Sequence, residues 1–333
     1  MGTDILPGLV LALLCGLGGA YGMARWRILV DQPNERSSHS LPTPRGGGVG
    51  LVAGTLLAGA WLSLPVAGLA GIAAGAAIAA AAGLADDARA QGAYVKFGAQ
   101  FLATGLAIAG GAVFDVVHVP GLGPVALGAF AVPVTFLWFV GLTNAYNFMD
   151  GLDALAGATG LVAAAFAGLF LAWAGHGDLA ALAFVLAAAC AGFLPLNLPR
   201  ARIFMGDVGS QFLGFCFAGL GVLAANAEPD GRLFWLVPIL LMHFLFDTLA
   251  TALRRAASGE NVLAAHRSHF YQKLNQAGAA HGRVAALLAA MAAAQGLFVH
   301  WLPTSVASAL LAAFGVQLAY AAFVLSRARA QSP

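Results

Sequence analysis

Long apolar runs rich in Ala, Leu and Gly alternate with short polar segments along the whole chain. These runs lack the alternation with period two that marks the strands of a membrane β-barrel. A helix needs about 20 apolar residues to cross a bilayer, so the pattern predicts an all-α polytopic membrane protein with about eleven transmembrane helices. The predicted spans are 5–24, 47–63, 66–85, 97–114, 125–146, 154–174, 179–196, 208–225, 233–252, 284–301 and 305–325.

Composition excludes most other classes of protein. Of the 333 residues, 60% are hydrophobic and 9% are charged, and the mean hydropathy is +0.84. Because soluble domains carry roughly 25% charged residues, this chain could not cover a water-exposed surface. A soluble enzyme, a disordered protein and a coiled coil are therefore excluded. A net charge of +2 leaves no basic surface for a nucleic acid, so no such partner is expected.

The positive charges orient the helices. If the N-terminus lies outside, every one of the 16 Lys and Arg residues except Arg232 falls on the inner side. The positive-inside rule then predicts a periplasmic N-terminus and a cytoplasmic C-terminus. The first apolar run is expected to remain as a helix, because only Asp4 precedes it and the basic region of a signal peptide is missing.

Chemically rich residues concentrate on the inner side. Polar groups are unfavourable within a bilayer, so their clustering predicts one site near the cytoplasmic surface of a single domain that covers 1–333. The inner segments that carry these residues lie near 25–48, 85–96, 144–153, 197–210 and 254–283.

Carboxylates stand at the inner ends of several spans. Asp86 and Asp87 close the third span, where adjacent acids repel each other unless a cation lies between them. They indicate Mg²⁺ or phosphate chemistry, or else a solvated helix end. Asp207, between glycines at the start of the eighth span, either caps that helix or binds a metal ion. Asp247 lies deeper, within the ninth span, and is expected either to be structural or to support a residue of the site.

A polar turn follows the fifth span. Gly151 is expected to end the helix there, which leaves the acids beyond it in a loop. The turn could bind a hard metal ion, a nucleobase edge or sugar hydroxyls. Its four amide and carboxylate side chains are Asn144, Asn147, Asp150 and Asp153.

Basic residues complete the inner face. His266 and His269 have no third zinc ligand at a suitable spacing, so they and Arg267 are expected to face a diphosphate. Arg45, in a glycine-rich entry to the second span, indicates either phosphate binding by backbone N–H groups or contact with lipid headgroups. Arg202 is expected near phosphate oxygens.

In this order, the segments resemble the polyprenyl-phosphate N-acetylhexosamine-1-phosphate transferases, glycosyltransferase family 4. The resemblance points to the branch that initiates O-antigen and common antigen, which is related to phospho-N-acetylmuramoyl-pentapeptide transferase. It extends from residue 31 to near residue 275. The six motifs that carry it are Asp31 to His39, Pro42 to Gly48, Asp86-Asp87, Asn144 to Asp153, Phe204 to Ser210 and His266 to His269.

The resemblance implies transfer of an N-acetylhexosamine-1-phosphate from a UDP-sugar to undecaprenyl phosphate, giving undecaprenyl-diphospho-sugar and UMP. This would be the initiating step of a cell-surface polysaccharide. The resemblance also implies Mg²⁺, with Mn²⁺ as the alternative metal. It implies a bacterial inner membrane protein, monomer or homodimer, in contact with membrane lipid and with its active site on the cytoplasmic face.

Site residues follow from the same resemblance. The implied catalytic residues are Asp86, Asp87, Asp207, His266 and His269. The implied substrate-binding residues are Arg45, Lys96, Asn144, Asn147, Asp150, Asp153, Arg202 and Arg267. The implied metal ligands are Asp207, Asn147 and Asp87.

Two departures from the family pattern qualify the interpretation. Ala154 stands where many relatives have glycine, and its methyl group is expected to be tolerated only if φ is negative. The late loop around His266 lacks the run of three histidines of the peptidoglycan enzyme. That favours GlcNAc or a 6-deoxy HexNAc over a pentapeptide substrate. GlcNAc, GalNAc, FucNAc and QuiNAc all stay open, as does the choice between Asp86 and Asp87 at the lipid phosphate.

A membrane transporter with a carboxylate-lined site is the main alternative. Transporters place polar residues near the bilayer centre, often within an inverted repeat, whereas these acids lie at the inner ends of spans. An intramembrane aspartyl protease would need a second deep aspartate besides Asp207, and only Asp247 is available. A scaffold without activity would leave the five polar inner segments unexplained.

Overall fold

Helices dominate the chain. The structure is a computed structural model, and it describes residues 5–33, 41–262, 264 and 266–330. The helices are α1 (Leu6–Trp26), α2 (Gly48–Leu62), α3 (Leu69–Ala88), α4 (Ala93–Ala109), α5 (Ala131–Phe148), α6 (Leu155–Trp173), α7 (Gly177–Asn197), α8 (Asp207–Ala225), α9 (Leu236–Leu240), α10 (Met242–Ala257), α11 (Phe270–Gln276), α12 (His281–Phe298) and α13 (Val306–Arg329).

The helices follow the apolar runs, because a helix satisfies its own backbone hydrogen bonds where no water can. Among the described residues, eight helices are long and apolar enough to cross a bilayer. A ninth crossing results if α9 and α10, which are bent by 74°, form one broken span, and α2 and α4 are shorter apolar helices. The prediction of an all-α polytopic membrane protein is confirmed. The count of eleven spans and their orientation stay predictions.

Among the described residues, two short antiparallel hairpins, which the sequence did not predict, interrupt the helical pattern. The first brings Arg45 into place, because the Arg45 amide donates to the Leu29 carbonyl at 3.0 Å. The second docks on a neighbouring turn, where Trp235 Nε1 donates to the His118 carbonyl at 2.6 Å. The paired strands are β1 (Val30–Asp31) with β2 (Thr43–Pro44), and β3 (Val116–Val119) with β4 (Gly123–Ala126).

α8 forms the centre of the bundle. It is buried along almost its whole length and packs against α2, α3 and α5. Small residues let membrane helices approach closely, since lipid provides no hydrophobic drive between them. Gly83 of α3 lies against the Asp207 carbonyl, and Gly48 of α2 lies against Gly209, so a Cβ would not fit at these contacts. The close approach brings the polar end of α3 to the first turn of α8.

Candidate active site

Asp87 of α3 caps the N-terminus of α8 from a different helix. Its Oδ1 accepts from the Asp207 amide at 3.0 Å, and its Oδ2 accepts from the Val208 amide at 3.1 Å. The first amides of a helix have no partner within the helix, and a carboxylate there also stabilises the positive end of the dipole. Gly206 is required beside it, because its φ is +78° and a Cβ would collide with the Asp87 carboxylate.

Lys96, near the start of α4, joins two carboxylates of the site. Its Nζ lies 2.6 Å from Asp86 Oδ2 and 3.4 Å from Asp207 Oδ2. Gln211, one turn along α8, donates to Asp207 Oδ2 at 3.3 Å. Asp207 thus has one oxygen held by two donors, while its side chain stays about a quarter exposed.

Arg45, in the segment before α2, covers the C-terminal end of α3. Its Nε donates to the Asp87 carbonyl at 2.9 Å, and its Nη2 donates to the Asp86 carbonyl at 3.0 Å. Its Nη atoms also lie 3.5 Å from Asp87 Oδ1 and 3.4 Å from Asp31 Oδ1. A cation stabilises the free carbonyls at a helix C-terminus, so Arg45 holds the acidic pair in position.

Asn147 reaches the same first turn of α8 from α5. Its Nδ2 donates to Ser210 Oγ at 2.8 Å, and Ser210 Oγ donates to the Gly206 carbonyl at 3.2 Å. Asn144, one turn earlier, instead exchanges two hydrogen bonds with Gln100 of α4, at 2.9 and 3.1 Å. The predicted metal ligands Asp207, Asn147 and Asp87 therefore gather around one helix terminus, while Asn144 ties α5 to α4.

Asp150 lies in the turn after α5, as expected. Burial raises the pKa of Asp150 to about 8, and the negative charges of Asp207, Asp87 and Asp153 raise it in the same direction. Such a carboxyl is protonated near neutral pH unless a positive charge arrives beside it. A cation bound beside this turn would therefore favour the ionised form of the Asp150 carboxyl.

Asp153 and Arg202 face a different part of the inner surface. Asp153 Oδ2 accepts from the Ala201 amide at 3.1 Å, and its Oδ1 lies 3.2 Å from Nδ1 of His281, which begins α12. Arg202 is exposed, and its Nη2 donates to the Pro195 carbonyl at 3.2 Å. These contacts join the polar turn to the segment after α7, beside the acidic cluster.

Asp247, wholly buried in α10, organises the late loop. Its Oδ1 accepts from His269 Nδ1 at 2.9 Å and from the Phe270 amide at 3.0 Å, and its Oδ2 accepts from the Tyr271 amide at 3.2 Å. Thr251 adds a fourth hydrogen bond at 3.2 Å. Asp247 thus caps α11 as Asp87 caps α8, and it fixes the ring of His269.

Further contacts attach this loop to the polar turn. The Tyr271 hydroxyl donates to the Phe148 carbonyl at the end of α5, at 3.0 Å. Arg254 Nη2 donates to the Ser268 carbonyl at 2.6 Å, and Ser268 Oγ lies 3.0 Å from His266 Nδ1. The pKa of His266 is lowered to about 4, first by burial and then by His269 and the two arginines of α10. In this arrangement His266 is a neutral imidazole near pH 7.

Comparison with known proteins identifies the family. The family model described as "Glycosyl transferase family 4" matches residues 69–225, from α3 to the end of α8. A decaprenyl-phosphate N-acetylglucosaminephosphotransferase of Mycobacterium leprae (strain TN) is 33% identical over 316 residues, which cover 85% of this chain and 79% of that protein. The chain belongs to glycosyl transferase family 4.

Two further relatives also match this chain. A probable undecaprenyl-phosphate N-acetylglucosaminyl 1-phosphate transferase of Bacillus subtilis (strain 168) is 34% identical over 259 residues, covering 76% of this chain and 71% of that protein. A phospho-N-acetylmuramoyl-pentapeptide-transferase of Synechococcus sp. (strain JA-3-3Ab) is 37% identical over 164 residues, covering 48% of this chain and 46% of that protein. Both are enzymes that transfer phosphate-linked groups, as their names state.

The donor set of this family 4 protein suits a magnesium ion that a substrate helps to hold. Among the described residues, no three His, Cys, Asp or Glu side chains form a ready-made metal cluster. Mg²⁺ commonly takes one or two carboxylates and completes its shell with water and substrate phosphates. Asp207, about a quarter exposed, and Asn147, which is hydrogen-bonded to Ser210 one turn along α8, fit that role. Both oxygens of Asp87, in contrast, already accept from the α8 amides.

Several residues of this family 4 site have no signal in the sequence that assigns them. Ser210 and Gln211 face the cluster, but only Ser210 belongs to a quoted motif. Gln100 and His281 lie in segments without any motif. The segment 34–40, with the Arg36 to His39 motif, lies outside the described residues.

Ala154 corrects one expectation. Its φ is +64°, in the left-handed region, although a negative φ was expected because of its methyl group. Asn197 of α7 accepts from the Ala154 amide at 2.9 Å, and Asn197 Nδ2 donates to the Ile203 carbonyl at 2.8 Å. The hydrogen bond at the start of α6 therefore outweighs the steric strain of an alanine in this conformation.

Proposed function

We propose that this protein transfers an N-acetylhexosamine-1-phosphate, with GlcNAc as the first candidate sugar, from its UDP donor to undecaprenyl phosphate. The products are undecaprenyl-diphospho-sugar and UMP, and the reaction initiates a cell-surface polysaccharide such as O-antigen. One observation carries the proposal: Asp86, Asp207, Lys96 and Arg45, from four separate segments, meet at the first turn of α8. Relatives that act on polyprenyl phosphates and N-acetylglucosamine support the same choice.

The chemistry asks little covalent participation of the protein. An oxygen of the lipid phosphate forms a bond to the β-phosphorus of the UDP-sugar, and the bond from that phosphorus to the bridging oxygen breaks. UMP leaves with this oxygen. A phosphate monoester has its second pKa at about 6, so the attacking oxygen is already ionised near pH 7 without a strong base. Alignment and charge stabilisation are the main tasks that remain.

The residues of the cluster divide these tasks. Lys96 and Arg45 stabilise negative charge on nonbridging phosphate oxygens, and the α8 terminus is held in place by Asp87. Asp207 and Asn147 would hold Mg²⁺, or Mn²⁺ in its place, and the bound ion supplies neutralisation of the diphosphate. The late loop with His269 and Arg267 contacts the diphosphate and the sugar.

The location follows from the positive charges. We place the cluster on the cytoplasmic face of a bacterial inner membrane, because the positive-inside rule assigns the basic, polar segments to the cytoplasm. The apolar helices around the cluster provide the environment that the lipid tail of undecaprenyl phosphate requires. A transporter would not need two cations poised over two carboxylates at one helix terminus.

Release of UMP tests the proposal directly. Purified protein in detergent is incubated with undecaprenyl phosphate, Mg²⁺ and each UDP-HexNAc donor in turn, with and without EDTA. We expect UMP that depends on lipid and metal, from one donor above the rest. Folded protein that binds a donor but releases no UMP with any of them, and instead moves the donor across vesicles, would establish the transporter.

A further inference from the structure

An apolar cavity extends from the middle of the bundle towards the end opposite the candidate active site. Its volume is about 360 Å³, and it lies between the C-terminal half of α2, the N-terminal halves of α3 and α7, and the part of α8 from Phe212 to Leu223. Its walls are aliphatic and aromatic side chains such as Leu64, Ile72, Leu186 and Leu220. The cavity is elongated along the helices, since on α2 it extends from Thr55 to Ser63, about 12 Å of helix.

The cavity exists because two neighbouring helices pack in different directions. α2 packs against α1 and α7, whereas α3 packs against α4 and α8. With 15 residues, α2 is only about 22 Å long, and it turns at Ser63, whose φ is +45°. A space therefore remains between α2 and α3 at a depth where a bilayer of about 30 Å offers acyl chains and no water.

A second, polar cavity adjoins the first. This vestibule has a volume of about 780 Å³ and lies over the α2–α3 and α6–α7 turns and the end of α8. Val66 and Leu223 line both cavities, so the apolar cavity and the vestibule meet at these two side chains. An apolar space and a polar space thus lie side by side.

The charges of the vestibule complement a cationic group. Exposed Asp115 and Asp178 line it, and His176, which also lines it, lies 2.9 Å from Glu228. No lysine or arginine is among the described residues of its lining. Asp178 lies in the first turn of α7, so its carboxylate already stands at the end of that helix where an anion is favoured. The vestibule thus suits an ammonium group, which these carboxylates can pair with.

We propose that these two spaces together bind one outer-leaflet phospholipid with an amine headgroup, of the phosphatidylethanolamine type. Its ammonium contacts Asp115 and Asp178, and one acyl chain enters the apolar cavity. The site is separate from the acidic cluster, which lies at the opposite ends of α3 and α8. It requires no catalysis, so it stands or falls independently of the proposed transferase reaction.

Native mass spectrometry of the full chain in detergent provides the test. The protein is incubated with phosphatidylethanolamine or with phosphatidylglycerol, and retained lipids are counted. We expect one retained phosphatidylethanolamine and at least about threefold less phosphatidylglycerol. A contact between exposed opposite charges accounts for a preference of this size. The double variant Asp115→Asn/Asp178→Asn is expected to retain both lipids equally.

A cavity-filling variant tests the position of the acyl chain. Gly59 lines the cavity and has open space around a built Cβ, so Gly59→Leu fills it without a backbone collision and favours the helix. Gly105→Leu, on the lipid-facing side of α4 with equally open space, is the matched control. Ala73→Leu fills the cavity from α3 and replaces Gly59→Leu if that variant fails to fold.

The outcomes are distinct. Loss of the retained lipid in the filling variants but not in Gly105→Leu supports the site. Equal retention in all variants, or no preference for the amine headgroup in the unmodified protein, overturns it. Displacement of the lipid by undecaprenyl phosphate also overturns it, because the cavity would then hold the isoprenoid tail instead.

Discussion

Asp87 and Asp247 do the same structural work in two regions of the molecule. Each carboxylate belongs to one helix and caps the first amides of another, α8 for Asp87 and α11 for Asp247. Around Asp87 the neighbours are Arg45 and Asp207, whose side chain is about a quarter exposed, so the region keeps a carboxylate open to a ligand. Asp247 is fully buried and orients His269. The same kind of carboxylate cap thus holds the charged side chain of Asp207 in place in the first region and fixes the ring of His269 in the second.

The largest effect is expected from the open carboxylate itself. Asp207→Asn removes the charge that lies beside Lys96 while it keeps the size of the side chain. Turnover, measured as UMP release, is expected to fall by at least about 10³-fold, as when a principal electrostatic group is removed from an active site. The melting temperature should stay close to that of the unmodified protein. Turnover near the normal rate would remove Asp207 from the proposed metal site.

The two caps are compared directly by Asp87→Asn and Asp247→Asn. Each leaves a buried amide poorly paired, which destabilises a fold by about 1–3 kcal/mol, so similar losses of melting temperature are expected. Turnover is expected to fall by about 10²-fold for Asp87→Asn, because Asp207 moves with the α8 terminus. A smaller loss, about 10-fold, is expected for Asp247→Asn, which acts through His269. Equal losses of turnover would show that the two regions do not differ in function.

A third cap, on α6, uses a neutral amide and a strained residue. Ala154→Gly relieves the left-handed conformation while it keeps the bond to Asn197, and it is expected to stabilise the protein by about 1 kcal/mol. Thermal unfolding in detergent measures the change. The matched control is Ala158→Gly inside α6, which should destabilise by a similar amount. A loss of stability in both variants would contradict the strain at Ala154.

The smallest effect concerns pH and His266. Because the folded protein lowers the pKa of His266 from 6.5 to about 4, the folded state binds this proton less readily than the unfolded chain. Stability from this group is therefore present above pH 6.5 and is lost as the pH falls towards 4. In His266→Gln, the drop of melting temperature between about pH 7 and about pH 5 should be smaller than in the unmodified protein. An unchanged drop would assign the acid sensitivity to other groups.

Local chemistry made some features readable in advance. Apolar runs indicated the helices. Gly151 was expected to end the fifth span, and α5 ends three residues before it, at Phe148. Asp247, alone inside a span, was expected to be structural or to support a residue of the site, and its four hydrogen bonds show a structural role. These features depend on residues that are close in sequence or on the environment that the bilayer imposes.

Other features depend on distance in the chain. Lys96 and Asp207 are 111 residues apart, and nothing in either segment indicates that they form an ion pair. The two hairpins, the break between α9 and α10 and the positive φ of Ala154 were likewise not predicted. Each results from a neighbour in space: Ala154, for example, adopts its conformation beside Asn197, 43 residues away.

The sequence by itself determined that the chain is a helical membrane protein and which polar residues were candidates for chemistry. The hydropathy pattern extends over only a few helical turns, so it can be read from the sequence before the fold is known. Only the tertiary structure decided which carboxylates are hydrogen-bonded as helix caps and which one stays open to a ligand. That division between Asp87 and Asp207 depends on the approach of α3 to α8 at Gly83, a contact between helices that no local pattern encodes.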